Sequence, residues 1–95
     1  MAAIYAYYGS DTPYVYYYFD ETWFYGLQDA GIYVSNVRLW CLDSNSEINS
    51  GGYEGMHPYG DIDVPDEYRE PGTRLRVDIF FSNGKYASSN TVTVE

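Results

Sequence analysis

Polar and apolar residues alternate most regularly near the end of the sequence, from Arg74 to Phe81. Leu, Val, Ile and Phe occupy every second position there, and the first three intervening positions are charged. This period of two is typical of a strand with one buried face. The Asn83-Gly84 pair that follows favours a tight two-residue hairpin turn, after which residues 86–94 return with Val92 and Val94 facing inward. The pattern therefore predicts a β-hairpin.

The first part of the sequence is β-branched or aromatic almost throughout. Between Ile4 and Phe19 only the turn-forming cluster from Gly9 to Pro13 interrupts this pattern, which predicts two strands joined by a turn. The second strand is apolar on both faces, and one of these faces carries Tyr14, Tyr16 and Tyr18. Such a strand is usually buried on both sides. The alternative is that its tyrosine face is exposed and binds a ligand.

Residues 20–31 favour either a short helix or an ordered aromatic loop. Apolar residues recur there at spacings of three and four, at Trp23, Phe24, Leu27 and Ala30. Asp20 is suited to begin a helix and Gly31 to end it, whereas Gly26 weakens its centre. Residues 32–42 again alternate as a strand, with Val37, Leu39 and Cys41 on one face. The turn-forming residues from Asp43 to Gly52 predict a hairpin tip and then an irregular stretch to about Gly60.

Short strands, frequent turn signals and the lack of a long helical pattern predict an all-β protein. The motifs Ile62-Asp-Val64, Glu70-Pro-Gly-Thr73 and Ser89-Asn-Thr-Val-Thr-Val94 resemble the E, F and G strand regions of fibronectin type III or immunoglobulin-like domains. Residues 34–45 resemble the C strand and the turn after it. The resemblance implies an antiparallel two-sheet sandwich, and the length of 95 residues implies one domain over 1–95.

The composition is acidic and rich in tyrosine. Fourteen acidic residues stand against five basic ones, the formal net charge is −9, and thirteen residues are tyrosine. A strongly negative chain is unsuited to direct binding of nucleic acid, and we expect a protein partner with a basic surface. The single cysteine, Cys41, excludes an internal disulfide and favours a reducing compartment.

The first residues contain neither a basic segment nor a long apolar run, so we expect no signal peptide and no membrane span. We expect a cytoplasmic location if the chain is complete, and an extracellular or virion surface location if it is a module of a longer protein. The sequence leaves the oligomeric state open.

No motif for catalysis is present, and we expect neither enzymatic activity nor a cofactor. His57 is the only histidine, and no nucleophile motif surrounds it or Cys41. The residues Asp43, Asn45, Glu47 and Glu54 have the spacing of calcium ligands, but Ile48 stands where a calcium loop needs glycine. A solvated hairpin tip is the alternative, and we predict no metal site.

Two groups of residues are candidates for binding. The aromatic group is Tyr14, Tyr16, Tyr18, Trp23, Phe24 and Tyr25, with Tyr5 or Tyr7 beside the strand. The acidic group is Asp61, Asp63, Asp66 and Glu67, for which a solvated sheet edge is the alternative. Aromatic side chains commonly anchor protein interfaces, and exposed carboxylates attract basic partners.

These groups support three functional hypotheses. The first is a non-catalytic protein-binding domain, in the form of an intracellular inhibitor that covers a nucleic-acid-binding surface, as phage-encoded anti-restriction and anti-CRISPR proteins do. The second is an immunoglobulin-like structural or surface module of a virion or a multidomain protein. The third is carbohydrate binding through the tyrosines.

Overall fold

Eight strands form two antiparallel sheets in the computed structural model of the chain, which describes residues 4–9, 13–51 and 57–95. The three-stranded sheet has the order β1-β2-β5, with β1 at Ile4–Tyr8, β2 at Tyr14–Phe19 and β5 at Tyr59–Asp63. The five-stranded sheet has the order β4-β3-β6-β7, and β8 also pairs with β6. Its strands are β3 at Val34–Cys41, β4 at Ser46–Gly51, β6 at Arg74–Phe81, β7 at Tyr86–Ser88 and β8 at Val92–Thr93. The predicted all-β antiparallel sandwich is confirmed.

The core lies between the sheets and is built from every second residue of the central strands. Inward-facing side chains of β2, β3 and β6 are almost fully buried, at Val15, Tyr17, Phe19, Val37, Leu39, Cys41, Leu75, Val77, Ile79 and Phe81. Such alternation leaves the other face of each strand turned outward. Val92 and Val94 are also buried, as the sequence predicts.

The short helix α1, Glu21–Asp29, connects the two sheets and extends the core. The side chain of Asp20 accepts a hydrogen bond from the backbone N–H of Trp23 at 2.9 Å, which satisfies one free donor of the first turn. Phe24 is 3% exposed and stacks on Phe19 with ring centroids 5.1 Å apart. Gly31 follows the helix with φ of 77°, a conformation that glycine adopts readily. The helical alternative for residues 20–31 is confirmed.

No helix in the described segments is both long and apolar enough to cross a lipid bilayer. A single turn of 3-10 helix at Asp66–Tyr68 is the remaining helical element there.

Three details of the sheets differ from the sequence prediction. The stretch predicted to be irregular contains strand β4, an edge strand. Its mostly polar residues do not alternate with apolar ones, so the sequence gives no strand signal, and main-chain pairing with β3 holds the strand in place. The hairpin after β6 is closed by the hydrogen bond from the Phe81 N–H to the Lys85 carbonyl. Three residues, 82–84, therefore form the turn instead of two, and Gly84 has φ of 84°. The returning strand is divided into β7 and β8.

Two asparagines of the five-stranded half hold the edge strands of the smaller sheet. The side-chain amide of Asn90 accepts from the backbone N–H of Ala6 at 2.8 Å and donates to its carbonyl at 2.9 Å. On the opposite edge, Asn49 donates to the carbonyl of Asp63 at 2.8 Å. These bonds tie β1 and β5 to the other sheet, and Asn90 lies where the returning strand is divided.

Candidate binding surfaces

The outer side of the three-stranded sheet is covered by tyrosines, and we call it the tyrosine face. It consists of Tyr5, Tyr7, Tyr14, Tyr16, Tyr18 and Tyr59 with Asp61 and Asp63. Five of the six tyrosines on this face are well exposed, from 37% for Tyr14 to 59% for Tyr59. With about 200 Å² for each side chain, the exposed aromatic surface is about 500 Å², near the upper limit for the largest patch of a monomeric protein.

The tyrosine rings stand in cross-strand pairs. Tyr5 lies opposite Tyr18 with ring centroids 5.2 Å apart, and Tyr7 lies opposite Tyr16 at 5.5 Å with an interplanar angle of 23°. These separations are too short for rings lying side by side in one plane, so neighbouring rings partly cover each other's faces. Ring edges and hydroxyl groups are therefore presented to solvent. This face offers hydrogen-bonding groups on a rigid aromatic layer.

The acidic group is only partly on the tyrosine face. Asp61 lies opposite Tyr16 and Asp63 opposite Tyr14, whereas Asp66 and Glu67 belong to the 3-10 turn. Arg69 forms ion pairs with Asp66 and, at 3.7 Å, with Asp63. The four predicted carboxylates therefore do not form one uncompensated patch.

The aromatic residues of α1 have three different environments. Tyr25 is 46% exposed, whereas Trp23 is half-buried against Phe19 and Phe81. The prediction of Phe24 as a binding residue is wrong, because its ring lies in the core and is 3% exposed. The helical spacing that identified the segment turns Phe24 inward. None of these three residues belongs to the tyrosine face.

A second surface, which sequence reasoning did not identify, covers the outer side of the five-stranded sheet. We call it the arginine face, and it consists of Arg38, Trp40, Arg76, Asp78, Phe80 and Tyr86. The Arg38 guanidinium lies 4.7 Å from the Trp40 ring centroid and 5.0 Å from that of Phe80, within the range of cation–π attraction. The two arginines alternate with apolar residues on separate strands, and only the register of β3 with β6 brings them together.

Asp78 lies fully buried at the centre of the arginine face. Arg38 Nε and Arg76 Nε each donate to its carboxylate at 2.8 Å, and the hydroxyl of Ser88 donates at 2.7 Å. Burial alone would raise the pKa of Asp78, but the hydrogen bonds from Arg76, Ser88 and Arg38 outweigh burial and lower it. The cluster therefore holds two guanidinium groups around one carboxylate and has a formal charge of +1.

The calcium spacing does not assemble into a ligand group in the described part of the chain. Asp43 binds Arg74 instead, accepting from its backbone N–H at 2.8 Å and from its guanidinium Nη2 at 2.7 Å. These bonds, first from the backbone and then from the side chain, lower the pKa of Asp43. Glu54 and the other residues of 52–56 lie outside the described residues.

Cys41 and His57 are not brought together. The Cys41 thiol is in the core, 1% exposed, whereas His57 is exposed and stacks on Tyr59 with ring centroids 5.2 Å apart. Within the described residues, no three His, Cys, Asp or Glu side chains are grouped so that they could hold a metal ion.

Among solved structures, the chain is similar to a biofilm associated protein, BSP domain, with a TM-score of 0.60 and 16% identity. The match covers 99% of this chain and 14% of that chain. No family model matches the sequence, and no curated protein matches it. At this level of identity the likeness concerns the fold alone, and it agrees with the β-sandwich described above.

Proposed function

We propose that the chain is a non-catalytic, immunoglobulin-like surface module of a longer extracellular protein, and that it binds a protein partner through the tyrosine face. The observation that carries the proposal is the exposed layer of tyrosines on the outer side of the three-stranded sheet. The structurally similar biofilm-associated domain supports the surface location, and the chain that contains it is several times longer than this one.

The strand arrangement supports the immunoglobulin-like part of this proposal. The segment that resembles an E strand lies in the sheet with β1 and β2, whereas those that resemble C, F and G strands lie together in the other sheet. Immunoglobulin-like sandwiches divide these strands between their sheets in the same way.

The geometry of the tyrosines favours a protein over a carbohydrate as the partner. Because neighbouring rings partly cover one another, few ring faces are free to stack on a sugar. Rigid tyrosines that present edges and hydroxyls are typical of surfaces that recognise proteins. Asp61 adds a carboxylate, which favours a partner with an arginine or lysine group, whereas Asp63 already pairs with Arg69.

The inhibitor hypothesis has less support than the surface module. Mimicry of a nucleic acid would require the carboxylates of Asp61, Asp63, Asp66 and Glu67 to act as phosphates. Arg69 already pairs with Asp63 and Asp66, which leaves fewer charges for that role.

The experiment compares two double variants that remove the same side chains from different places. Tyr7→Thr/Tyr18→Thr removes two rings from the tyrosine face, where they are 49% and 47% exposed. The control Tyr25→Thr/Tyr33→Thr removes two equally exposed rings, at 46% and 52%, from elsewhere. Proteins captured from a cell-surface extract of the native source are quantified for each, and the affinity of the captured partner is then measured with purified components.

We expect affinity for the partner to fall at least about tenfold in the tyrosine-face variant and to stay unchanged in the control. Equal loss in both variants, or in neither, contradicts the role of the tyrosine face. Binding to a glycan array that disappears only in the tyrosine-face variant contradicts the choice of a protein partner.

A further inference from the structure

The two outer sides of the sandwich differ in chemical character. The tyrosine face carries Asp61 and Asp63, of which Asp63 pairs with Arg69, whereas Arg38 and Arg76 surround Asp78 at the centre of the arginine face. At the borders of that face, Asp43 pairs with Arg74 and Glu47 lies opposite Trp40. Two of the five Lys and Arg residues therefore lie side by side in a chain of net charge −9. This inference rests on the proposed function, in which the tyrosine face binds a partner protein. We propose that the tyrosine face binds the arginine face of a second copy of this chain.

The groups on the two faces match one another. Guanidinium groups bind carboxylates through charge-assisted hydrogen bonds and are attracted to aromatic rings. Arg38 and Arg76 hold Asp78 and still remain 24% and 29% exposed. Asp61 lies on the edge strand of the tyrosine face, where it can reach these cations. The half-exposed rings complete a surface suited to the Trp40 and Phe80 side chains opposite.

The contact joins two different surfaces, so each copy keeps one free face after pairing. Such a contact is heterologous, and it adds copies in series unless a ring closes. The tyrosine face limits the buried area to about 500 Å² on each side, or about 1,000 Å² in total. This is at the lower end for specific protein interfaces, so each contact is weak and reversible.

Salt distinguishes a second copy from a basic foreign protein. Two chains of charge −9 repel one another at long range, although the touching faces attract. Raising the salt from about 0.01 M to 0.15 M shortens the screening length from about 30 Å to 8 Å, which removes the repulsion first. Self-association therefore strengthens over this range, whereas binding of a basic protein weakens.

The test uses one variant for each face, and each variant changes exposed positions. Tyr7→Thr/Tyr18→Thr alters the tyrosine face. Ser50→Glu/Tyr86→Glu places two carboxylates on the arginine face, because Ser50 lies opposite Arg38 and Tyr86 opposite Phe80 in register, and it leaves Arg38, Arg76 and Asp78 themselves unchanged. The control Tyr25→Glu/Ala30→Glu adds the same charge around α1. Sedimentation velocity measures the average mass up to about 1 mM protein, and circular dichroism checks that each variant is folded.

We expect the unchanged chain and the control to associate with rising concentration, and each face variant alone to stay monomeric. Mixing the two face variants restores association, because each contributes the intact face that the other lacks. The mixture stops at a dimer of one copy of each, while the unchanged chain continues to larger species.

Three outcomes overturn the inference. They are a monomeric unchanged chain at the highest concentration, association that survives in the arginine-face variant, and mixed variants that stay monomeric. Survival in the arginine-face variant alone would indicate pairing between two tyrosine faces. These outcomes leave the proposed function intact, since capture of another protein through the tyrosine face is measured separately, at concentrations where copies do not associate.

Discussion

The buried carboxylate of Asp78 allows a quantitative prediction about stability. Replacing Asp78 by Asn keeps the shape of the side chain but removes the charge that Arg38, Arg76 and Ser88 share. The new amide NH₂ cannot accept the hydrogen bonds that these side chains donate. Two neighbouring guanidinium groups are then left without a counter-charge.

The expected loss follows from how much water can replace the carboxylate. Removing one partner of a fully buried ion pair costs about 3–5 kcal/mol. Arg38 and Arg76 are 24% and 29% exposed, so partial hydration reduces the expected loss to about 2–3 kcal/mol. For a chain of this size, that loss lowers Tm by about 10–20 °C.

Urea unfolding followed by circular dichroism measures this loss. An unchanged slope of the unfolding free energy against urea concentration shows that the variant and the unchanged chain unfold in comparable ways. Asp43→Asn is the matched control, because Asp43 also pairs with an arginine but is exposed. If Asp78→Asn is no less stable than Asp43→Asn, the cluster does not contribute as reasoned. The combined replacement Arg38→Met/Arg76→Met/Asp78→Leu removes all the charges and should restore most of the stability.

Three further predictions concern acid stability and the edges of the smaller sheet. Because the pKa of Asp78 is lowered in the folded chain, its contribution to stability is present above about pH 4 and is lost as the pH falls below that value. The urea midpoint of the unchanged chain should therefore drop below about pH 4, and that of Asp78→Asn should drop less. Asn90→Ala should cost about 1–2 kcal/mol and speed hydrogen exchange at the Ala6 amide, whose N–H and C=O both lose their partner. Gly60→Ala should cost about 1–3 kcal/mol in urea unfolding, because its Cβ would lie 2.5 Å from the Tyr17 hydroxyl oxygen.

The controls for the edge predictions use sites without such contacts. Gly51→Ala places a Cβ where no atom lies within 4 Å, and its stability should change little. A loss at Gly51 equal to that at Gly60 would contradict the steric reasoning. Unchanged exchange at Ala6 in Asn90→Ala would show that the asparagine does not protect this edge.

The strands with a clear period of two could be predicted from the sequence. The alternation from Arg74 to Phe81 and from Val37 to Cys41 gives the central strands of the larger sheet and their buried faces. The caps at Asp20 and Gly31 place the helix. Strand β4 could not be found in this way, because an edge strand with polar side chains carries no hydrophobic period.

The candidate surfaces were predictable to different degrees. Tyr14, Tyr16 and Tyr18 share a face because of their spacing, but the sequence could not tell whether this face is covered. The alternation of Tyr59, Asp61 and Asp63 against Ile62 and Val64 was a signal for the rest of the surface. The arginine face required the pairing register of two strands forty residues apart, which no local pattern contains.

The asparagines at the edges of the three-stranded sheet determine how the molecule can grow into assemblies. An uncovered edge strand is a template on which another chain can add a strand, as in domain swapping and amyloid. Asn90 occupies the backbone groups of Ala6 on one edge, and Asn49 occupies the carbonyl of Asp63 on the other. A strand arriving from another chain must first displace them. Strand addition at these edges therefore competes with hydrogen bonds that the folded chain already makes, whereas a contact through the outer faces leaves those bonds in place.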